Sequence, residues 1–176
     1  MNTYLGACVE LTPDDVDEAV ISGSQVTYLE GYLWDRPTAK EAFIKAAQVA
    51  HAAGRKVSLT LSDSFCVERH RDSFLGLIDS HVDLLFANEA EIKALYQVDD
   101  FDAAVAAVRG RCEVAAITRS EKGSVIVTDS ETVVVEAAPL AQLVDTTGAG
   151  DLYASGFLYG FTRGLGLAEA AGEAVE

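Results

Sequence analysis

The residues most able to do chemistry lie in the segment AQLVDTTGAGDLYASGFLYGF, residues 141–161. Gly148 and Gly150 bracket Ala149 just ahead of a run with helical spacing, in which Leu152, Phe157, Leu158 and Phe161 are the apolar positions. Glycines there let successive backbone N–H groups turn toward one point without side-chain bulk. The unpaired N–H groups of a first helical turn and the positive end of its dipole add to them. Such a cradle suits an anion and could stabilise charge on a phosphoryl group in transfer. Asp151 falls beside it, where a carboxylate can accept the proton of an attacking hydroxyl. The plainer reading of Asp151, an acidic residue that favours the helix dipole, carries more weight when the loop is taken alone. The loop is neither a Walker A sequence, having no Gly-Lys-Ser/Thr, nor a dinucleotide fingerprint.

Two segments upstream add polar chemistry. Asn88-x-x-Glu91 follows the apolar run VDLLFA and places an amide and a carboxylate one helical turn apart. The same spacing is also an ordinary helix start, with Asn88 as cap and Glu91 as its reciprocal partner. Thr118, Ser120 and Gly123 form a turn between two β-rich stretches, with Arg119 and Lys122 as nearby cations. Glu30, Gly31 and Asp63 end predicted strands, at the edge where ligands gather in open α/β sheets. Cap and turn roles account for them equally well. His51, His70 and His81 lack metal-ligand spacing, and none pairs with a nucleophilic Ser or Cys.

Composition narrows the field. The 176 residues suit one packed domain, and a hydrophobic share of 49% fits an ordered core. The formal net charge of −15 argues against nucleic acid and anionic membrane as partners. An acidic chain can still bind a nucleotide through backbone N–H groups and a metal. No apolar run reaches the ~20 residues of a membrane span, and MNTYLGACVE does not read as a signal peptide. Cys8, Cys66 and Cys112, odd in number and in apolar surroundings, are expected to be reduced core residues of a cytoplasmic protein.

Around these sites the pattern alternates strands and helices. Strands are predicted at 4–9, 26–33, 56–61, 82–87 and 113–118, and a hairpin joins SVIVT to TVVVE. Helices are predicted from Pro13 to about Val20, from a Thr38 cap to a Gly54 C-cap, and over 66–79, 89–96, 101–110 and 151–163. This alternation implies an α/β fold with a mostly parallel sheet flanked by helices and an antiparallel hairpin at one side.

DTTGAGD followed by an aromatic-rich helix closely resembles the C-terminal signature of the PfkB family of carbohydrate kinases. Asn88-x-x-Glu91 and the Thr118–Gly123 turn follow in the family's order. The family's usual Thr-x-Gly-x-x-Gly is met at Thr118 and Gly123, while Ser120 replaces the middle glycine. MNTYLGA, YLEGYLWD and LSDSFCVERHRDSF resemble its bacterial adenosine-kinase-like branch.

The resemblance implies a Rossmann-like ribokinase fold and ATP-dependent phosphorylation of a hydroxymethyl group on a sugar or nucleoside. It makes Asp151 the catalytic base and Gly148, Ala149 and Gly150 the anion hole. Asn88 and Glu91 would organise Mg2+ through water. Thr118, Ser120 and Gly123 would bind the nucleotide, and Asp145 and Thr147 would lie near a K+ site. It also implies one incomplete kinase domain over 1–176, corresponding to the family's central and C-terminal part without the N-terminal lid region. Missing edge elements predict association, including with copies of the same chain. A catalytically silent nucleotide-binding or interaction remnant is the alternative. An oxidoreductase is disfavoured, because no dinucleotide fingerprint follows a strand.

Overall fold

The computed structural model describes residues 5–139, 142 and 144–174. The chain divides into two compact units, one ending at Leu85 and the other beginning at Phe86.

In the first unit the predicted strand over 4–9, whose first residue lies outside the described residues, is instead a 3-10 turn, Gly6–Glu10. Gly6 sits at φ +64°, which takes the chain out of extended geometry, and the exposed Cys8 thiol donates back to the Leu5 carbonyl at 2.7 Å. Cys8 is therefore a surface residue and not a core one. The predicted helix from Pro13 is broken. A short turn, Pro13–Asp15, closes when the Asp15 carboxylate accepts from the Thr12 amide at 2.9 Å. Helix α1, Glu18–Gly23, then starts afresh after Asp17, whose carboxylate accepts from the amides of Ala19 and Val20.

Strand β1, Val26–Glu30, stops earlier than predicted and runs into a 3-10 turn, Gly31–Asp35. Helix α2, Pro37–Ala52, has Pro37 at its first position, so Arg36 and not Thr38 precedes it. Its buried face is the predicted alanine-rich one: Ala39, Phe43, Ala46, Ala47 and Ala50. Gly54 follows at φ +68°, as expected of a residue just past a helix end. Strand β2, Lys56–Thr60, pairs in parallel with β1, from Val26 opposite Lys56 to Glu30 opposite Thr60. Helix α3, Ser64–His81, is capped by the Asp63 carboxylate and kinked at His70. Trp34 lies 5.5 Å from Phe43 and 5.8 Å from Phe74, ring centre to ring centre, and anchors this unit's core.

Strand β3, Leu84–Asn88, spans the division. The second unit continues with α4, Glu89–Tyr96, and α5, Phe101–Val108. Then come β4, Val114–Thr118, and the strands β5, Ser124–Val127, and β6, Thr132–Val135. Both β4–β5 and β5–β6 are antiparallel, so the predicted hairpin is present. The six strands take the order β1-β2-β3-β4-β5-β6 in a mixed sheet accompanied by helices.

Helix α6, Ala149–Thr162, buries Tyr153, Ala154, Phe157 and Gly160, whereas Leu152, expected on the apolar face, is 71% exposed. A last helix, α7, Leu167–Glu173, was not foreseen. It packs closely on α6: a Cβ at Gly156 would come within 2.6 Å of the Ala174 Cα, and one at Gly160 within 2.7 Å of the Ala170 Cα.

Candidate functional site

The loop ahead of α6 is open. Residues 144–152 are exposed throughout. Gly148 takes φ +78°, a left-handed conformation that glycine adopts readily, and serves as the residue preceding α6. The Thr147 amide donates to the Asp145 carboxylate at 2.9 Å. That bond, with lesser help from the Thr147 hydroxyl and the Thr146 amide, holds the Asp145 carboxyl below the ordinary aspartate range. The Ala149 amide donates to the Thr146 carbonyl at 3.1 Å, and the Leu152 amide to the Gly148 carbonyl at 2.9 Å. Gly150 and Asp151 lie between these two donors. Among the described residues nothing accepts from their amides, as expected in the first turn of a helix.

A Cβ at Gly150 would meet nothing within 4 Å, and no positive φ is recorded there. Packing and backbone conformation therefore do not demand a glycine at 150. The Asp151 side chain stands exposed at the same turn. The arrangement offers two amides and a helix dipole to an anion, with a carboxylate alongside.

Helix α6 is held to its unit by Phe157, whose ring meets Phe86 of β3 edge-on at 5.7 Å. Two residues further along β3, Asn88 begins α4. Its amide donates to Glu91 Oε2 at 2.9 Å and its Nδ2 to Oε1 at 2.7 Å, while the Glu91 amide donates to Asn88 Oδ1 at 2.9 Å. The reciprocal cap foreseen as the plainer reading is thus formed, and Glu91 is buried. Among the described residues no group of three His, Cys, Asp or Glu side chains converges as a metal cage. Both Glu91 carboxylate oxygens are taken up by Asn88 within this cap.

The strand-turn after β4 is rigidly built. Gly123 takes φ +80°, and a Cβ there would fall 2.0 Å from the Val135 carbonyl oxygen of β6. Ser120, standing where a glycine was the more natural choice, is also left-handed at φ +52°. The turn closes through Arg119 N to Gly123 O at 2.8 Å, Lys122 N to Arg119 O at 3.0 Å and Gly123 N to Ser120 O at 3.0 Å. Thr118 pairs with Ser124 across β4 and β5.

Sequence reasoning missed what Arg119 does. Its Nε donates to Glu89 Oε2 at 2.8 Å, and its guanidinium lies 3.7 Å from the centre of the Phe101 ring. The hydrogen bond from Arg119 holds the Glu89 carboxyl below the usual glutamate range. Two buried hydroxyls also went unnoticed. Burial pushes the Tyr153 phenol up to about 12, partly offset by the nearby Ser124 hydroxyl. Neither has a partner in hydrogen-bonding geometry among the described residues.

The profile of the pfkB family carbohydrate kinases matches residues 1–176. The adenosine kinase of Saccharomyces cerevisiae is 27% identical over 176 residues, covering 92% of this chain and 51% of its own length. The crystal structure of adenosine kinase from Sinorhizobium meliloti is 56% identical with a TM-score of 0.96, over 99% of this chain and 54% of that one. Aminoimidazole riboside kinase from Salmonella enterica, solved with aminoimidazole riboside and an ATP analog, is 21% identical with a TM-score of 0.81. It covers 99% of this chain and 61% of that one, and shows the fold alone. The chain spans about half the length of the curated relatives it matches.

Proposed function

Because the chain belongs to the pfkB family of carbohydrate kinases, we propose that it carries the phosphate-handling part of an ATP-dependent kinase acting on a hydroxymethyl group of a sugar or nucleoside. The observation that carries this reading is the start of α6, where the amides of Gly150 and Asp151 lack acceptors among the described residues and the Asp151 carboxylate is exposed beside them.

In this reading Asp151 accepts the proton of the acceptor hydroxyl as phosphoryl transfer proceeds. The Gly148–Ala149–Gly150 backbone and the α6 dipole bind the charge that develops on the phosphoryl oxygens. ATP supplies the phosphoryl group, and Mg2+, when bound, neutralises phosphate charge. Asn88 and Glu91 hold the metal's water shell, while Thr118, Ser120 and Gly123 receive the nucleotide. Asp145 and Thr147 flank a place for K+, since one Asp145 carboxylate oxygen is not taken up by the Thr147 amide. The partners are small molecules in the cytoplasm. Adenosine is the first acceptor to try, because the Sinorhizobium meliloti relative, at 56% identity, is an adenosine kinase.

The test is acceptor-dependent ADP release by the 176-residue chain with Mg2+ and K+, across a panel that includes adenosine and ribose. Turnover that disappears in Asp151→Asn, with unfolding unchanged, is the expected result. A folded chain that gives no turnover with any acceptor supports the second reading, a silent nucleotide-binding remnant.

A further inference from the structure

We infer that Arg119 and Glu89 are positioning residues that tie the nucleotide turn to the start of α4, so that nucleotide and metal bind as one coupled event. This rests on the kinase reading above, and it concerns two residues that touch neither reacting group.

Arg119 joins three chain segments. Its backbone N–H and carbonyl close the Ser120–Gly123 turn, through Gly123 O and Lys122 N respectively. Its Nε reaches Glu89, the first residue of α4. Its face covers Phe101, the first residue of α5, which is itself buried. The ion pair is only partly exposed, 23% on the Arg119 side chain and 29% on Glu89. A planar guanidinium that stacks and donates at once is held far more tightly than a lysine ammonium could be.

Glu89 directly follows Asn88, and Asn88 and Glu91 grip each other through three hydrogen bonds. A shift of the turn therefore pulls on Glu89 and, through it, on the box that holds the metal's waters. Arg119 is a cation in the phosphate-handling part of the chain, yet its charge is spent on this brace. Coupling of this kind appears as a gain in nucleotide affinity when the metal is added, and the gain is reciprocal.

The experiment measures ADP binding to the full chain calorimetrically, with and without Mg2+, in wild type, Glu89→Gln, Arg119→Leu and the double variant. Thermal unfolding confirms that each is folded. Glu89→Gln is nearly isosteric and carries the test if Arg119→Leu does not fold. The expected result is that the Mg2+-dependent gain in ADP affinity falls about fivefold or more in each single variant, fivefold being the low end of ordinary coupling. The double variant should be no worse than either single one, as for residues acting through one contact. A purely structural brace would weaken ADP equally with and without Mg2+, leaving the gain intact. That outcome overturns the inference and leaves the kinase reading standing. Wild-type chain that binds no ADP under either condition overturns the nucleotide reading and the inference with it.

Discussion

The turn at 119–123 and the loop at 145–151 are both short, glycine-bearing segments of the second unit, yet they are built on opposite principles. The turn is closed by three backbone hydrogen bonds, pressed against β6 and braced by an arginine side chain. The loop is exposed along its length, and a side chain at Gly150 would strike nothing. In the turn, Gly123 answers to the fold. In the loop, Gly150 answers to no neighbour that the chain itself provides, so its chemistry points outward, to whatever approaches the first turn of α6.

That contrast can be broken most severely at Asp151. Asp151→Asn should lower acceptor-dependent turnover by about 10²–10⁴-fold, the range for losing a general base, and leave the thermal midpoint unchanged. Gly123→Ala should do the reverse. With its Cβ 2.0 Å from a carbonyl oxygen and φ at +80°, it should lose more than about 3 kcal/mol of stability. A calorimetric scan would show a midpoint about 6–12 °C lower for a chain of this size. Gly150→Ala sharpens the comparison from the other side. Its stability should stay within about 0.5 kcal/mol of wild type, while a methyl group crowding the anion position reduces kcat/KM by about 10²-fold. An equal loss of stability at 123 and 150 would erase the distinction. The smallest effect is expected at Ser120→Gly, which relieves a left-handed serine and should raise the midpoint by about 2–4 °C for roughly 1 kcal/mol.

The parts of the chain that were legible share a physical trait: their signal is local. Alanines spaced along α2, β-branched runs in β4, β5 and β6, and Asn88 with Glu91 three residues on all act within a few residues of themselves. Two errors came from equally local signals that a neighbour outweighed. The apolar run at 4–9 reads as a strand, but Gly6 turns the chain, and Thr38 looked like a cap until Pro37 took the first helical position. Within the candidate site, the placement of Gly148 and Asp151 at the start of α6 was legible because it rests on local backbone preference. Arg119 was not. Its partners Glu89 and Phe101 are 30 and 18 residues away in sequence, and no periodicity connects them. Leu152 was assigned to the wrong face for a related reason, since only the packed helix shows which face of α6 is turned inward.

The meeting of α6 and α7 has a mechanical consequence. At Gly156 and Gly160 the two helices touch almost backbone to backbone, with little between them to act as a cushion. Packed protein transmits displacement when it has nothing soft to compress. The pair should therefore behave as a stiff lever with Asp151 near one end, so that a small push on α7 is delivered, scarcely attenuated, to the turn that carries the carboxylate.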